Sequence, residues 1–294
     1  METALILART SHFAVAMLLW GAAMLRAGAF PPATLRATSD LAIRSGLVLA
    51  AANLVTALAW LFATAASVGD GAADAFNPAV IWPLLRQTHF GQVWLVHLML
   101  ALALLALARP DRPRLLAVLA GANLASLGWI GHAVLPGGQM SLLHEAISSL
   151  HLLAAGYWLG GLAVVLPCLH YMAKPETAVP ASQILRSFSR AGHLAVALVF
   201  ATGFAKTLLI ATARGAINPA PDYFGLLALK ILAVCAMLGL ALLNRYRFVP
   251  RLATDARQTA IRDLRRGTLA ELALAAVVLV LVSTFALWSP FAAS

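Results

Sequence analysis

The chain has 294 residues, 62% of them hydrophobic and only 11% charged, against roughly 25% charged in an ordinary soluble domain. A soluble fold of this size cannot cover so much apolar content with so few charges, and the apolar runs are too long for a β-barrel. The composition therefore specifies an all-α, polytopic membrane protein.

The charge-free intervals count the spans. Arg44 to Asp70 encloses 25 uncharged residues, Arg86 to Arg109 encloses 22, Arg114 to Glu145 encloses 30 and Glu145 to Lys174 encloses 28. Arg190 to Arg214 and Asp222 to Arg245 each enclose one charge, Lys206 and Lys230, and 23 residues follow Glu271. A spanning helix needs about 20 mainly apolar residues. A single transmembrane domain of eight helices over 1–294 is predicted, at about 4–25, 43–67, 89–108, 114–133, 141–168, 187–212, 222–245 and 267–289. Glu2 and Arg9 open the chain without a charged n-region or a clean cleavage site, so the first segment is expected to be a retained helix. A short apolar stretch, Ala79–Leu85, is too short to span and is expected to lie at the interface.

The net charge of +10 would suggest nucleic acid in a soluble chain. Here the loops explain it. Sixteen of the 21 basic residues fall in alternate loops, those joining spans 1–2, 3–4, 5–6 and 7–8, while the other loops hold only Arg86 and Arg214. The positive-inside rule places the sixteen in the cytoplasm and both termini outside. No phosphate loop, nucleophile–base constellation or separate basic domain appears, so nucleic-acid binding and soluble catalysis are set aside. The two cysteines, Cys168 and Cys235, make no disulfide framework.

Ionisable residues inside spans mark functional sites by default. On this orientation His12, His97 and His151 lie roughly 12–15 Å below the outer surface, at 1.5 Å per residue. His89, His132, Met140 and His144 lie above them. His144 and His151, seven apart, share one helix face but are about 10.5 Å apart along the axis, too far for one ion with ligands at about 2 Å. Two tiers follow: His89, His132, Met140 and His144 at a mouth, and His12, His97 and His151 deeper in. Imidazole and thioether suit copper, Met favouring Cu(I). A lone helical His is commonly just a packed residue, and Met is common filler; the weight lies in six of the eight His falling in the outer half. Cys168 and His170 are candidates for a cytoplasmic exit. Lys206 and Lys230, too far from their helix ends to snorkel easily, call for an anion or a polar cavity. Gly156, Gly160 and Gly161 form a small-xxx-small pattern for close helix packing.

The stretch Gly131-His132-Ala133, then His144 and His151 running into Leu152-Leu153-Ala154-Ala155-Gly156-Tyr157-Trp158-Leu159-Gly160-Gly161-Leu162, resembles the copper resistance protein D (CopD) family. Arg186-Ser187-Phe188-Ser189, Thr202-Gly203, Phe224 to Lys230, Asn244-Arg245 and Pro250 fit the same pattern, so the resemblance runs from about the third helix to the end. It implies an eight-helix bacterial inner-membrane protein carrying copper from periplasm to cytoplasm, beside a separate periplasmic copper-binding partner of the CopC type and membrane lipid. It points to His132, His144 and His151. The inner half lacks a Met-rich or Cys-rich path, so outer-face binding is better supported than transport across the whole bilayer. The alternative is a b-type haem electron carrier or oxidoreductase, with bis-His ligation by His97 and His151, or by His12 with either, and with Lys206 and Lys230 at the propionates. Enzymatic redox activity is expected only if haem is bound. A purely structural role leaves the clustered His and the lysine pair without a purpose.

Overall fold

The computed structural model describes residues 2–37, 39–107, 112–130, 139–212, 221–255 and 257–288, with backbone alone at 35–37, 39–44, 139, 210–212 and 221. The described residues form ten α-helices and no strand. They are α1 (Glu2–Ala29), α2 (Pro32–Ala37), α3 (Ser39–Val68), α4 (Pro78–Gln87), α5 (His89–Leu107), α6 (Pro113–Ser126), α7 (Gln139–Met172), α8 (Pro175–Thr212), α9 (Pro221–Leu243) and α10 (Arg257–Phe285). Proline opens α2, α4, α6, α8 and α9, where its missing N–H costs nothing and its fixed φ suits the first turn.

Seven of these helices are long and apolar enough to cross a membrane: α1, α3, α5, α7, α8, α9 and α10. The protein is a multi-pass, all-α membrane protein. Large apolar side chains stand exposed on the outside of the bundle, Phe204 at 72% and Leu232 at 66% among them, as lipid contact requires and water would not favour. The helix expected at 114–133 is shorter than anticipated. α6 ends at Ser126 and continues as a 3₁₀ turn from Leu127 to Trp129, and residues 131–138 are not described. α6 is nonetheless interior, burying Leu116, Ala120, Asn123 and Leu124 against α1, α5 and α7. α8 and α10 begin earlier than expected, at Pro175 and Arg257. The reason is that helix geometry continues through charged, water-compatible turns that a hydropathy count leaves out. Ala79–Leu85 lies within α4, whose first turn is capped by the Asn77 side chain accepting from the Ala79 N–H at 3.0 Å.

Without a hydrophobic force between helices in lipid, close packing holds the bundle together. α1 lies across α7 with backbone against backbone. A Cβ on Gly21 would stand 2.6 Å from the Gly160 Cα, and one on Gly160 would stand 2.8 Å from the Gly21 Cα. The glycines singled out on α7 are thus what lets α1 approach, while Gly161 turns to the other side, against the Phe188 ring of α8. α1 is in this way the centre of one half of the molecule, touching α3, α6, α7 and α10.

Candidate functional site

Three polar groups interrupt the apolar interior. The first joins α1 and α5. His12 and His97 are both fully buried, and their Nε2 atoms face each other at 2.9 Å. His12 Nδ1 lies 2.9 Å from Thr56 Oγ1 of α3, and His97 Nδ1 lies 2.8 Å from Ser126 Oγ of α6. Each hydroxyl has one proton to donate, and where it goes sets the tautomer of the ring beside it. Thr56 donates its proton to the Ala52 carbonyl at 2.8 Å, and Ser126 donates to the Asn123 carbonyl at 2.7 Å. With both hydroxyls donating to their carbonyls, each accepts from an imidazole Nδ1–H and the two Nε2 lone pairs face one another, so that they take a cation between them, a proton at 2.9 Å or a larger ion if the rings part. With one hydroxyl turned to its imidazole, that ring carries Nε2–H and donates to the other.

The shell around the pair is aromatic and amide. Trp94 stacks on His97 at 4.8 Å and 20°, and Trp60 and Trp94 each meet His12 edge-on at 5.8 Å. Asn123 Nδ2 sits 3.4 Å from both ring nitrogens of His97, hence over the ring, and donates to the His97 carbonyl at 3.2 Å. Asn53 in turn donates to Asn123 Oδ1 at 3.0 Å. Three residues before His12 on the same helix, the Arg9 guanidinium lies over Trp60 at 4.9 Å.

The second group lies between α7 and α8. His151 Nδ1 is 2.9 Å from Thr202 Oγ1, and Thr202 donates to the Leu198 carbonyl, an arrangement that matches a proton on His151 Nδ1. Lys206 and Lys230 are both within electrostatic reach of His151, and Lys206 of His144. The Nε2 of His144 and the hydroxyl of Ser148 are buried with no hydrogen-bond partner among the described residues. His97 and His151 thus belong to different groups. The third group, Glu271 of α10 with Asn244, lies toward the arginine-rich end.

The remaining expected residues are placed as follows. His89 is exposed at 58%, with Nε2 3.0 Å from the Trp129 carbonyl and 3.8 Å from Glu145 Oε1. Met140 is exposed at 48%. His132 lies outside the described residues. No cluster of three or more His, Cys, Asp or Glu suited to a metal exists among the described residues. Cys168 and His170 do not converge: two residues apart on a helix, they face about 200° apart, Cys168 into the core with Leu25 and Met172 and His170 outward beside Tyr171. A haem does not fit between His12 and His97, because the rings are in hydrogen-bond contact and the indoles of Trp60 and Trp94 occupy the surrounding space.

Several of these partners carry no signal in the sequence. Thr56 and Ser126 are ordinary residues for a membrane helix. Asn53 and Asn123, single amides in apolar runs, and Trp60 and Trp94 at matching depth were the readable signals.

Residues 1–142 match the family described as copper resistance protein D-like, N-terminal domain, and residues 182–285 match copper resistance protein D. The chain is 37% identical over 287 residues to the inner membrane protein YebZ of Escherichia coli (strain K12), covering 96% of this chain and 97% of that one. It is 29% identical over 221 residues to the copper resistance protein D of Pseudomonas syringae pv. tomato, covering 70% of this chain and 71% of that one. No solved structure matches.

Proposed function

The chain belongs to the copper resistance protein D family, and from that premise we propose that it binds copper near the periplasmic face of the bacterial inner membrane and passes it inward. α6 is taken as the eighth crossing, which places both termini in the periplasm and the arginine-rich loops in the cytoplasm, as the positive-inside rule requires. The location follows that of the Escherichia coli relative, an inner membrane protein. Copper is the cargo. A separate periplasmic CopC-type protein is its source, and lipid is the surrounding solvent.

The observation that carries this reading is the His12–His97 pair. Metal-bound His characteristically donates its second ring nitrogen to an oxygen acceptor, which fixes the tautomer and the ring, and each ring here has a hydroxyl oxygen at its Nδ1 in the place of that acceptor. Two imidazoles suit two-coordinate Cu(I) in a dry site. With bonds of about 2 Å the Nε2 atoms must stand about 4 Å apart, so the rings open by about 1 Å on loading. The faces of Trp60 and Trp94 shelter the charge. His89, Met140 and His144, with His132, serve the mouth. The test is Cu(I) binding by the purified protein in nanodiscs together with cellular copper accumulation: both fall in His12→Ala and His97→Ala, and unchanged affinity with unchanged accumulation in both variants overturns the proposal.

A further inference from the structure

The arginine-rich half of the molecule contains a cavity of about 1270 Å³ between α7, α8, α9, α10 and the turns joining the last two. One end of its wall is a carboxylate. Glu271 is 1% exposed. Its Oε1 accepts from Asn244 Nδ2 at 2.7 Å, while its Oε2 and the Asn244 Oδ1 are both buried with no hydrogen-bond partner among the described residues. Asn244 begins a π-helical turn, Asn244–Phe248, a local widening common at functional positions. Its amide lies flat against α10 because residue 267, one turn before Glu271, is glycine, and a Cβ there would collide with Asn244 Oδ1.

The titratable groups that line the cavity with this carboxyl come from three elements. α8 contributes Arg186, Arg190 and His193, the turn contributes Arg245 and Tyr246, and α10 itself contributes Arg257; α7 contributes Trp158, whose indole N–H donates toward the carboxyl, and no titratable group. No ion pair joins Glu271 to any of them among the described residues. Arg245 is turned to the Ser189 carbonyl at 2.9 Å and to its hydroxyl, and Arg257 to the Met172 carbonyl at 2.7 Å. A buried ionised carboxylate with cations in the same cavity is expected to pair with one of them. Glu271 instead keeps a neutral amide.

An acid facing an amide makes two hydrogen bonds in one ring, amide N–H to acid C=O and acid O–H to amide C=O. The first is present here. The oxygens that the second would join, Glu271 Oε2 and Asn244 Oδ1, are the two without a hydrogen-bond partner among the described residues. We propose that Glu271 and Asn244 form a proton-binding site, in which a proton taken from water in the cavity bonds to Glu271 Oε2 and is donated to Asn244 Oδ1. The step is the addition of H⁺ to a carboxylate, with no electron transfer. Loss of the proton sets two bare oxygens against each other, opens the ring and frees a carboxylate to turn toward the arginines. Hard oxygens and a cationic wall disfavour Cu(I) at this place, so the ligand is the proton, and the site stands whether or not the His12–His97 pair binds copper.

Infrared difference spectroscopy of the protein in nanodiscs, titrated in pH without copper, tests this. The wild type shows a protonated-carboxyl C=O band at neutral pH that fades as pH rises. The band is absent in Glu271→Gln, and in Asn244→Ala it moves to higher frequency as the hydrogen-bonded ring is lost. Glu271→Gln can still make both bonds of the ring, so its melting temperature stays constant over the pH range in which that of the wild type falls. Should that variant not fold, the band shift in Asn244→Ala decides alone. Identical carboxyl bands in wild type and Glu271→Gln, or an unshifted band in Asn244→Ala, overturn the proposal.

Discussion

The His12–His97 pair makes a quantitative demand on a double-mutant cycle. Without copper the two rings share one buried hydrogen bond of 2.9 Å between their Nε2 atoms. Interhelical hydrogen bonds in membrane proteins contribute about 0.6 kcal/mol on average and about 1.7 at most, because the unfolded helices also find partners in lipid. The stability cycle of His12→Ala, His97→Ala and the double variant is therefore expected to return a coupling of roughly 0.6–1.7 kcal/mol. Copper affinity must behave differently. If the ion is held by these two nitrogens, either single variant already destroys the site, and the double variant loses no more than each single one. The loss in each exceeds the roughly 10–100-fold that removal of a ligand's supporting partner costs. Competition against a chromophoric Cu(I) chelator measures the affinity, and reversible unfolding in mixed micelles measures the stability. Affinity losses that add from single to double variant would refute the two-nitrogen site, since they would mean that the residues act independently.

Other predictions follow from the same geometry. Thr56→Val and Ser126→Ala remove the acceptors of the two Nδ1–H groups, and each lowers Cu(I) affinity by roughly 10–100-fold while leaving the helix content measured by circular dichroism unchanged. Gly160→Leu drives a side chain into the α1 backbone and destabilises by about 3 kcal/mol or more, read as loss of folded protein in detergent by size-exclusion chromatography. His144→Ala combined with His132→Ala slows copper loading from a periplasmic donor, measured by stopped flow, with the equilibrium affinity of the inner pair retained. The purified protein, expressed with ample haem supply, shows no Soret band; a band abolished by His97→Ala would restore the haem reading.

Much of this architecture was legible because lipid imposes a simple rule: backbone polar groups must be satisfied within each helix, so long apolar runs translate directly into helices. The turns before Gly267 and Ser187 were missed for the complementary reason, since a helix may continue into water on charged residues such as Arg262 and Arg266 without any hydropathy signal. Depth was readable and neighbourhood was not. Counting along the helices put His12, His97 and His151 in one tier, but which of them touch depends on helix rotation and packing. α1 is drawn in by Gly21 and Gly160, and that contact sets His12 toward α5, not α7. Glu271 served the sequence only as the boundary of the last span. Its partner Asn244 is 27 residues away across a turn, and no periodicity reports such a contact.

The division of the His residues into two groups bears on where a cation is held. The α7–α8 group has the same ligand-ready tautomer at His151, and the family resemblance favours His144 and His151. Its electrostatics run the other way. Lys206 and Lys230 both act on His151, and a cation bound there would face two ammonium groups in a medium where charges interact far more strongly than in water. Around His12 and His97 the neighbours are two indoles, two amides and two hydroxyls, with Arg9 one turn away and set over the Trp60 face. On the proposed reading the cation is therefore held at the α1–α5 pair, while the two lysines beside His151 suit an anionic partner such as a lipid phosphate. His97→Ala should consequently abolish Cu(I) binding, whereas His151→Ala should change it by less than about tenfold, about 1.4 kcal/mol. Lys206→Met combined with Lys230→Met should leave the His12–His97 affinity in place. If His151→Ala proves the more damaging variant, copper sits between α7 and α8, and the lysines must be neutralised or displaced when it binds.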